Sequence, residues 1–239
     1  MRGIKEAVYV LVASLTFYEL SLSLGLDSEG SVYLSVLLAL TLYCSSGLRF
    51  FIFSKSLSGD LHKVVNVRLG SVAILQRVKL KAVFKPRIYV NLAGFVAPVT
   101  LAFLILALQT HCLSVAPFKY LSTLMFLTIT YNRLSTIVSG RGIFISVTSS
   151  MALTVVTALA LGTHLKLAPE TLFLITYSLS TLAVLIGMDL VNLRLSALFK
   201  GRSVVIGGYG IGDAIFLLPA VSSLTSKIIY SLIVTPPIL

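Results

Sequence analysis

Seven long apolar stretches, separated by short charged or glycine-containing breaks, organise the chain: about 7–26, 31–53, 88–110, 116–132, 143–162, 169–193 and 204–226. Stretches of roughly 20 apolar residues have the length an α-helix needs to cross the hydrocarbon core of a bilayer. Between the second and third stretches the period changes. Val64-Val-Asn-Val-Arg-Leu69 and Val78-Lys-Leu-Lys-Ala-Val-Phe-Lys85 alternate apolar with polar residues, as strands with one apolar and one basic face do. The pattern predicts an all-α polytopic membrane protein, a single integral membrane domain over 1–239. A small basic β-hairpin-like element occupies its loop 54–87. The first stretch runs into Gly25-Leu-Asp-Ser-Glu-Gly30 without a small-residue cleavage site, so it is read as a retained helix and not a signal peptide.

Composition excludes the soluble alternative: 57% of the 239 residues are apolar and 11% charged, with a mean hydropathy of +1.00. The net charge of +11 changes the picture through its distribution. With the N-terminus inside, all the basic residues except Lys119, Lys166 and Lys227 collect on the inner side, out of 19 in total. That asymmetry predicts a multi-pass cell-membrane protein with its N-terminus cytoplasmic and its C-terminus outside. It also implies anionic lipids of the inner leaflet as partners, with no need for nucleic acid. The basic hairpin is then either a connector held on anionic lipid or a strand edge that pairs with an extended peptide. Cys44, within the second span, and Cys112, on an outer loop, are too far apart across the membrane to pair and imply no disulfide. His111, Cys112 and His164 lack ligand spacing and read as solvated loop residues, so no metal and no cofactor is predicted.

Three acids sit at membrane depth, where an ionised carboxylate is costly and an acidic residue is a functional candidate by default: Glu19, Asp189 and Asp213. If Gly201 is the centre of a turn between two antiparallel helices, Asp189 and Asp213 each lie 12 residues from it. At about 1.5 Å per residue both reach roughly 18 Å from the turn, a matching depth at which they can meet. Two carboxyls sharing a water cannot both ionise, so one acts as acid and the other, as base, activates the water. Asp189 also has Arg194 and Asn192 within reach as fixed structural partners. Asp213 becomes a helix N-cap if the glycine run is loop and the last helix starts at Ala214, which forces Lys227 to snorkel. The serines and threonines of Leu121–Thr130 and Val147–Thr154 read as helix contacts.

Gly210-Ile-Gly-Asp213 is similar to the G-x-G-D sequence of presenilins, signal peptide peptidases and archaeal prepilin peptidases. In those groups the motif holds one of two catalytic aspartates, and the other lies on the preceding span. The resemblance implies an intramembrane aspartyl protease acting on membrane-spanning peptides, with Asp189 and Asp213 catalytic and Gly210 and Gly212 letting substrate or a neighbouring helix approach. The spacing between the two acids is shorter than in presenilins, no tyrosine precedes Asp189, and there is no Pro-Ala-Leu motif. A second resemblance covers most of the chain. Gly187-Met-Asp-Leu-Val-Asn-Leu193 and Val204-Val-Ile-Gly-Gly-Tyr-Gly-Ile-Gly-Asp-Ala-Ile-Phe-Leu217, with Val90-Asn-Leu-Ala-Gly-Phe-Val-Ala-Pro98 upstream, resemble the signature of a prokaryotic membrane family called domain of unknown function 1614. It implies no activity. Two further readings therefore stand beside the protease: a proton-coupled transporter or ion pathway using the same acids with Glu19, and a structural membrane protein in which the acids are fixed contacts.

Overall fold

The computed structural model describes residues 2–54, 57–69, 72–84, 86–109, 117–138, 142–193 and 203–234. Among the described residues seven helices follow in chain order: α1 (Arg2–Ser23), α2 (Ser28–Cys44), α3 (Ala97–Leu108), α4 (Pro117–Leu134), α5 (Val147–Leu165), α6 (Pro169–Val184) and α7 (Ala214–Val234). Four have the length and apolarity to cross a membrane: Ser28–Gly47, Val147–Leu165, Pro169–Leu193 and Ala214–Val234. The others fall short for physical reasons. α1 carries Arg2, Lys5, Glu6 and Glu19, α4 carries Lys119 and Arg133, and the apolar helix Leu92–Leu108 is shorter.

The last helix is displaced from the expected 204–226. Val204-Val-Ile is apolar enough to look like the start of a span, but Ser203–Ile206 is a strand, and the glycines after it form a loop before α7 opens at Ala214. The expected placement of Asp213 deep within a span is thereby corrected: it stands at a helix start. The stretch 31–53 also divides, because α2 ends at Cys44 and Arg49–Ser54 is β1.

Among the described residues seven strands lie in three small sheets. β1 (Arg49–Ser54) pairs antiparallel with β4 (Arg87–Asn91), which pairs parallel with β7 (Ser203–Ile206). Alternate residues Ile88 and Val90 of β4 and Val204 and Ile206 of β7 are buried, so one face of this sheet closes the end of the helical bundle. β2 (Leu57–Leu69) and β3 (Val72–Phe84) form the antiparallel hairpin expected from the alternating pattern, in register from Leu57 opposite Phe84 to Leu69 opposite Val72. β5 (Ser135–Val138) and β6 (Gly142–Ile145) form a second, shorter hairpin between α4 and α5.

α6 is the axis of the bundle. Every residue from Leu172 to Val184 is buried, its serines and threonines included, because the helix is packed on all sides. α1, α3, α4, α5 and α7 contact it. Large exposed apolar residues such as Leu11, Leu37, Phe103, Phe126 and Ile228 cover the outer faces of the surrounding helices, the surface that lipid would wet.

Candidate functional site

α6 does not end as an α-helix. Over Leu185–Leu190 it widens into a π-helix, with the Val191 N–H donating to the Ile186 carbonyl five residues back. Neighbours on α4 hold this stretch from two positions. A β-carbon on Gly187 would lie 2.3 Å from the Thr128 carbonyl oxygen, so only glycine lets the two backbones approach this closely. Asn192 Nδ2 donates back to the Met188 carbonyl at 2.9 Å and across to Asn132 Oδ1 at 3.1 Å and Ser135 Oγ at 3.3 Å. Between these anchors Asp189 is half-buried and faces a cavity. Wide turns of this kind recur at functional sites because they re-aim a single side chain without ending the helix.

Asp213 reaches the same cavity from β7. The chain leaves β7 through Gly207, at φ +71°, and turns again at Gly210, at φ +62°, backbone conformations that favour glycine. It then makes a short 3₁₀ turn over Gly210–Gly212 and enters α7. Asp213 is extended (φ −75°, ψ 150°), and its carbonyl accepts the Phe216 and Leu217 N–H groups at 3.1 and 2.8 Å. Its carboxylate accepts the Ile215 N–H through Oδ1 at 3.2 Å and the Tyr209 N–H through Oδ2 at 3.3 Å. Asp213 is therefore the N-cap of α7 and also ties the glycine loop to that helix, where the helix dipole favours a negative charge.

The loop is clamped from behind. A β-carbon on Gly207 would lie 2.5 Å from the Gly94 carbonyl carbon, and one on Gly210 would lie 2.4 Å from Ser46 Cβ. Gly94 belongs to a second π-helical turn, Leu92–Val96, at the mouth of α3. Asn91 caps that turn by accepting the Gly94 N–H on Oδ1 at 2.9 Å, and its amide donates to the Ser46 carbonyl. One buried asparagine thus joins α3, the end of α2 and, through Gly94, the aspartate loop.

The cavity has a volume of about 370 Å³. Its walls are the end of α6, strands β6 and β7, the loop Gly207–Tyr209, the first turns of α5 and α7, and Tyr9 of α1. Of the residues singled out in the sequence, the structure brings Asp189, Asp213 and Gly212 together on it. Gly210 lies behind the loop against Ser46, and Asn192 clamps α6 to α4. Glu19 is elsewhere: it pairs with Lys227 Nζ, which also lies 3.8 Å from Glu170 Oε1. His111 and Cys112 lie outside the described residues.

Sequence reasoning missed Tyr9, Asn91 and the two flanking strands. An Asn three residues before a glycine ahead of an apolar helix was the available signal for the Asn91 cap. Tyr9 had none, being one aromatic in an apolar helix. The cavity wall thus holds two aspartates from separate elements, beside backbone at two strands.

A family model described as "Protein of unknown function (DUF1614)" matches residues 55–225. That range includes both aspartates, the segment between them, Asn91 and the long hairpin. No curated protein and no solved structure matches the chain, so the presenilin-like fold implied by Gly-x-Gly-Asp finds no support.

Proposed function

The chain belongs to the DUF1614 family, and because that description assigns no activity, we propose from the geometry that the Asp189–Asp213 cavity hydrolyses a peptide bond in a membrane-spanning substrate at the membrane boundary. The observation that carries this reading is that two carboxyls from different helices line one cavity together with β6 and β7. Each of these strands is paired on one side only among the described residues. An extended segment added to such an edge gains main-chain hydrogen bonds without regard to its side chains. It would lie across the two acids.

In the reaction one carboxyl, protonated, donates to the carbonyl oxygen of the scissile bond. The other, ionised, takes a proton from a water whose oxygen attacks the carbonyl carbon. The C–N bond then breaks, with the proton passed to the departing amine, and one acid and one amine leave.

We read the aspartate end as cytoplasmic and all seven helices as crossing in alternating directions. Arg49, Arg87 and Arg133 at that end, against Lys119, Lys166 and Lys227 at the other, support this orientation through the positive-inside rule. Anionic inner-leaflet lipid would then surround the basic hairpin. Against the transport reading stands Glu19, which a relay would need near the aspartates but which is paired with Lys227.

The test is cleavage of a library of single-span helices by the purified protein in lipid. Wild type should cut some substrate near the aspartate end of its span, and D189N and D213N should each abolish cutting. Proton or ion flux that needs Glu19 as much as either aspartate, without cleavage, would replace this reading with the transporter.

A further inference from the structure

Helical serines and threonines in this chain habitually return their hydroxyl to a carbonyl three or four residues back, as Thr16, Ser21, Thr157, Thr181 and Ser223 do. Five buried serine and threonine hydroxyls have no hydrogen-bond partner among the described residues. Four of them, Ser150, Thr176, Ser222 and Ser226, fall on helices α5, α6 and α7 in a pattern that puts them on one seam.

The seam is defined by steps of four residues, which keep to one face of a helix. At its far end Ala158 of α5, Leu172 of α6 and Tyr230 of α7 pack together as one apolar cluster, with the Tyr230 hydroxyl donating to the Gly162 carbonyl at 2.9 Å. Four residues from each member towards the aspartate end come Thr154, Thr176 and Ser226, and four further come Ser150, Ser180 and Ser222. All six are buried. Tyr131 of α4 closes the side, its hydroxyl bonded to Thr154 and lying 3.3 Å from Ser180 Oγ. One further turn on α5 and α7, and two on α6, reach Val147, Leu218 and Met188, each of which lines the aspartate cavity. Pro219 adds an acceptor beside this path, since it has no N–H to give the Ile215 carbonyl.

A hydroxyl buried in apolar surroundings without a partner costs on the order of 1–3 kcal/mol, and four on one seam are retained where something satisfies them. We propose that this seam binds a file of water molecules that opens into the aspartate cavity and is closed at its far end by Ala158, Leu172 and Tyr230. It is a blind reservoir that supplies the hydrolytic water from within the bundle. This inference rests on the hydrolytic reading for its purpose, though not for its existence. Ser and Thr are the residues that such a file requires, because each hydroxyl both donates and accepts and so satisfies a water from either side.

The experiment is cysteine accessibility in lipid vesicles, in a background with Cys44 and Cys112 replaced by serine. S150C, S222C and S226C are compared with A158C under a small water-soluble thiol reagent. A thiol reacts through its thiolate, which forms only where water reaches it, so the three seam variants should label roughly tenfold or more faster than A158C. L218W, which narrows the junction with the cavity, should suppress labelling of S222C and S226C together. Seam variants as inert as A158C would overturn the reservoir, whether or not the protein cleaves peptides. Labelled seam variants in a protein that hydrolyses nothing would keep the water file and remove the hydrolytic reading instead.

Discussion

Gly94 and Gly207 meet backbone to backbone: a β-carbon on Gly94 would lie 2.2 Å from the Gly207 carbonyl oxygen. The mouth of α3 and the loop that carries Asp213 are therefore a single packed unit, although the two glycines are far apart in the chain. G94A should force them apart and cost about 2 kcal/mol, as overpacking a tight site does. G47A, where a β-carbon meets nothing within 4 Å, is the control. Thermal unfolding in lipid or detergent compares the two, and equal midpoints for both variants would remove the unit.

Asp213 has two separable roles. As N-cap of α7 it is replaceable by asparagine with little loss, whereas alanine costs about 1 kcal/mol. D213A should therefore unfold at lower temperature than D213N, while peptide cleavage is abolished in both. Cleavage that survives in D213N would leave the carboxylate as a cap alone.

Lys227 and Glu19 join α7 to α1 with side chains only 18% and 22% exposed. Removing Lys227 strands the Glu19 charge, a loss on the order of 3 kcal/mol for a buried pair, whereas removing Glu19 leaves Lys227 beside Glu170 at 3.8 Å. K227M should therefore be less stable than the double variant E19Q/K227M, and E19Q the milder single change, as measured by denaturation midpoints. A strictly additive double variant would show that the pair is not coupled. Cleavage per folded molecule should be unchanged in all three.

Orientation can be read with single cysteines in the same cysteine-free background. S203C, at the aspartate end, should label from the cytoplasmic side, and A168C, in the turn between α5 and α6, from outside. The reverse result would invert the protein in the membrane.

The membrane class, the hairpin, both aspartates and the glycine-rich approach to Asp213 were legible because each is written in local pattern: hydropathy, alternation, or a charge where none is expected. The start of α7 was not. Val204-Val-Ile reads as helix or strand equally well, and it becomes a strand only because Arg87–Asn91, more than a hundred residues earlier, lies beside it. The same holds for Phe50-Phe-Ile, absorbed into the second span by its hydropathy but paired with β4 in the fold. The matched depth of the two aspartates assumed a simple helical hairpin around Gly201. They reach one cavity by another route, one from a widened helix and the other from a cap. The hydroxyls of α5, α6 and α7 were visible as residues, but their meeting along one seam depends on which helices are neighbours.

The widened turn at Leu185–Leu190 has a consequence for how this chain tolerates change in length. A π-turn accommodates one residue more than an α-turn, and successive α-helical residues are offset by roughly 100° about the axis. Losing one residue within the turn before Asp189 would let the helix close to ordinary geometry and re-aim the Asp189 carboxyl, while Asn192, beyond the turn, stays in phase and the helix itself stays intact. Losing Val191, beyond the turn, would leave Asp189 in phase and turn Asn192 by about that angle off Asn132 and Ser135 instead. Spectroscopic helicity would report neither event, so a deletion scan across this turn should break the protein in two distinct ways that substitutions at the same positions do not reproduce.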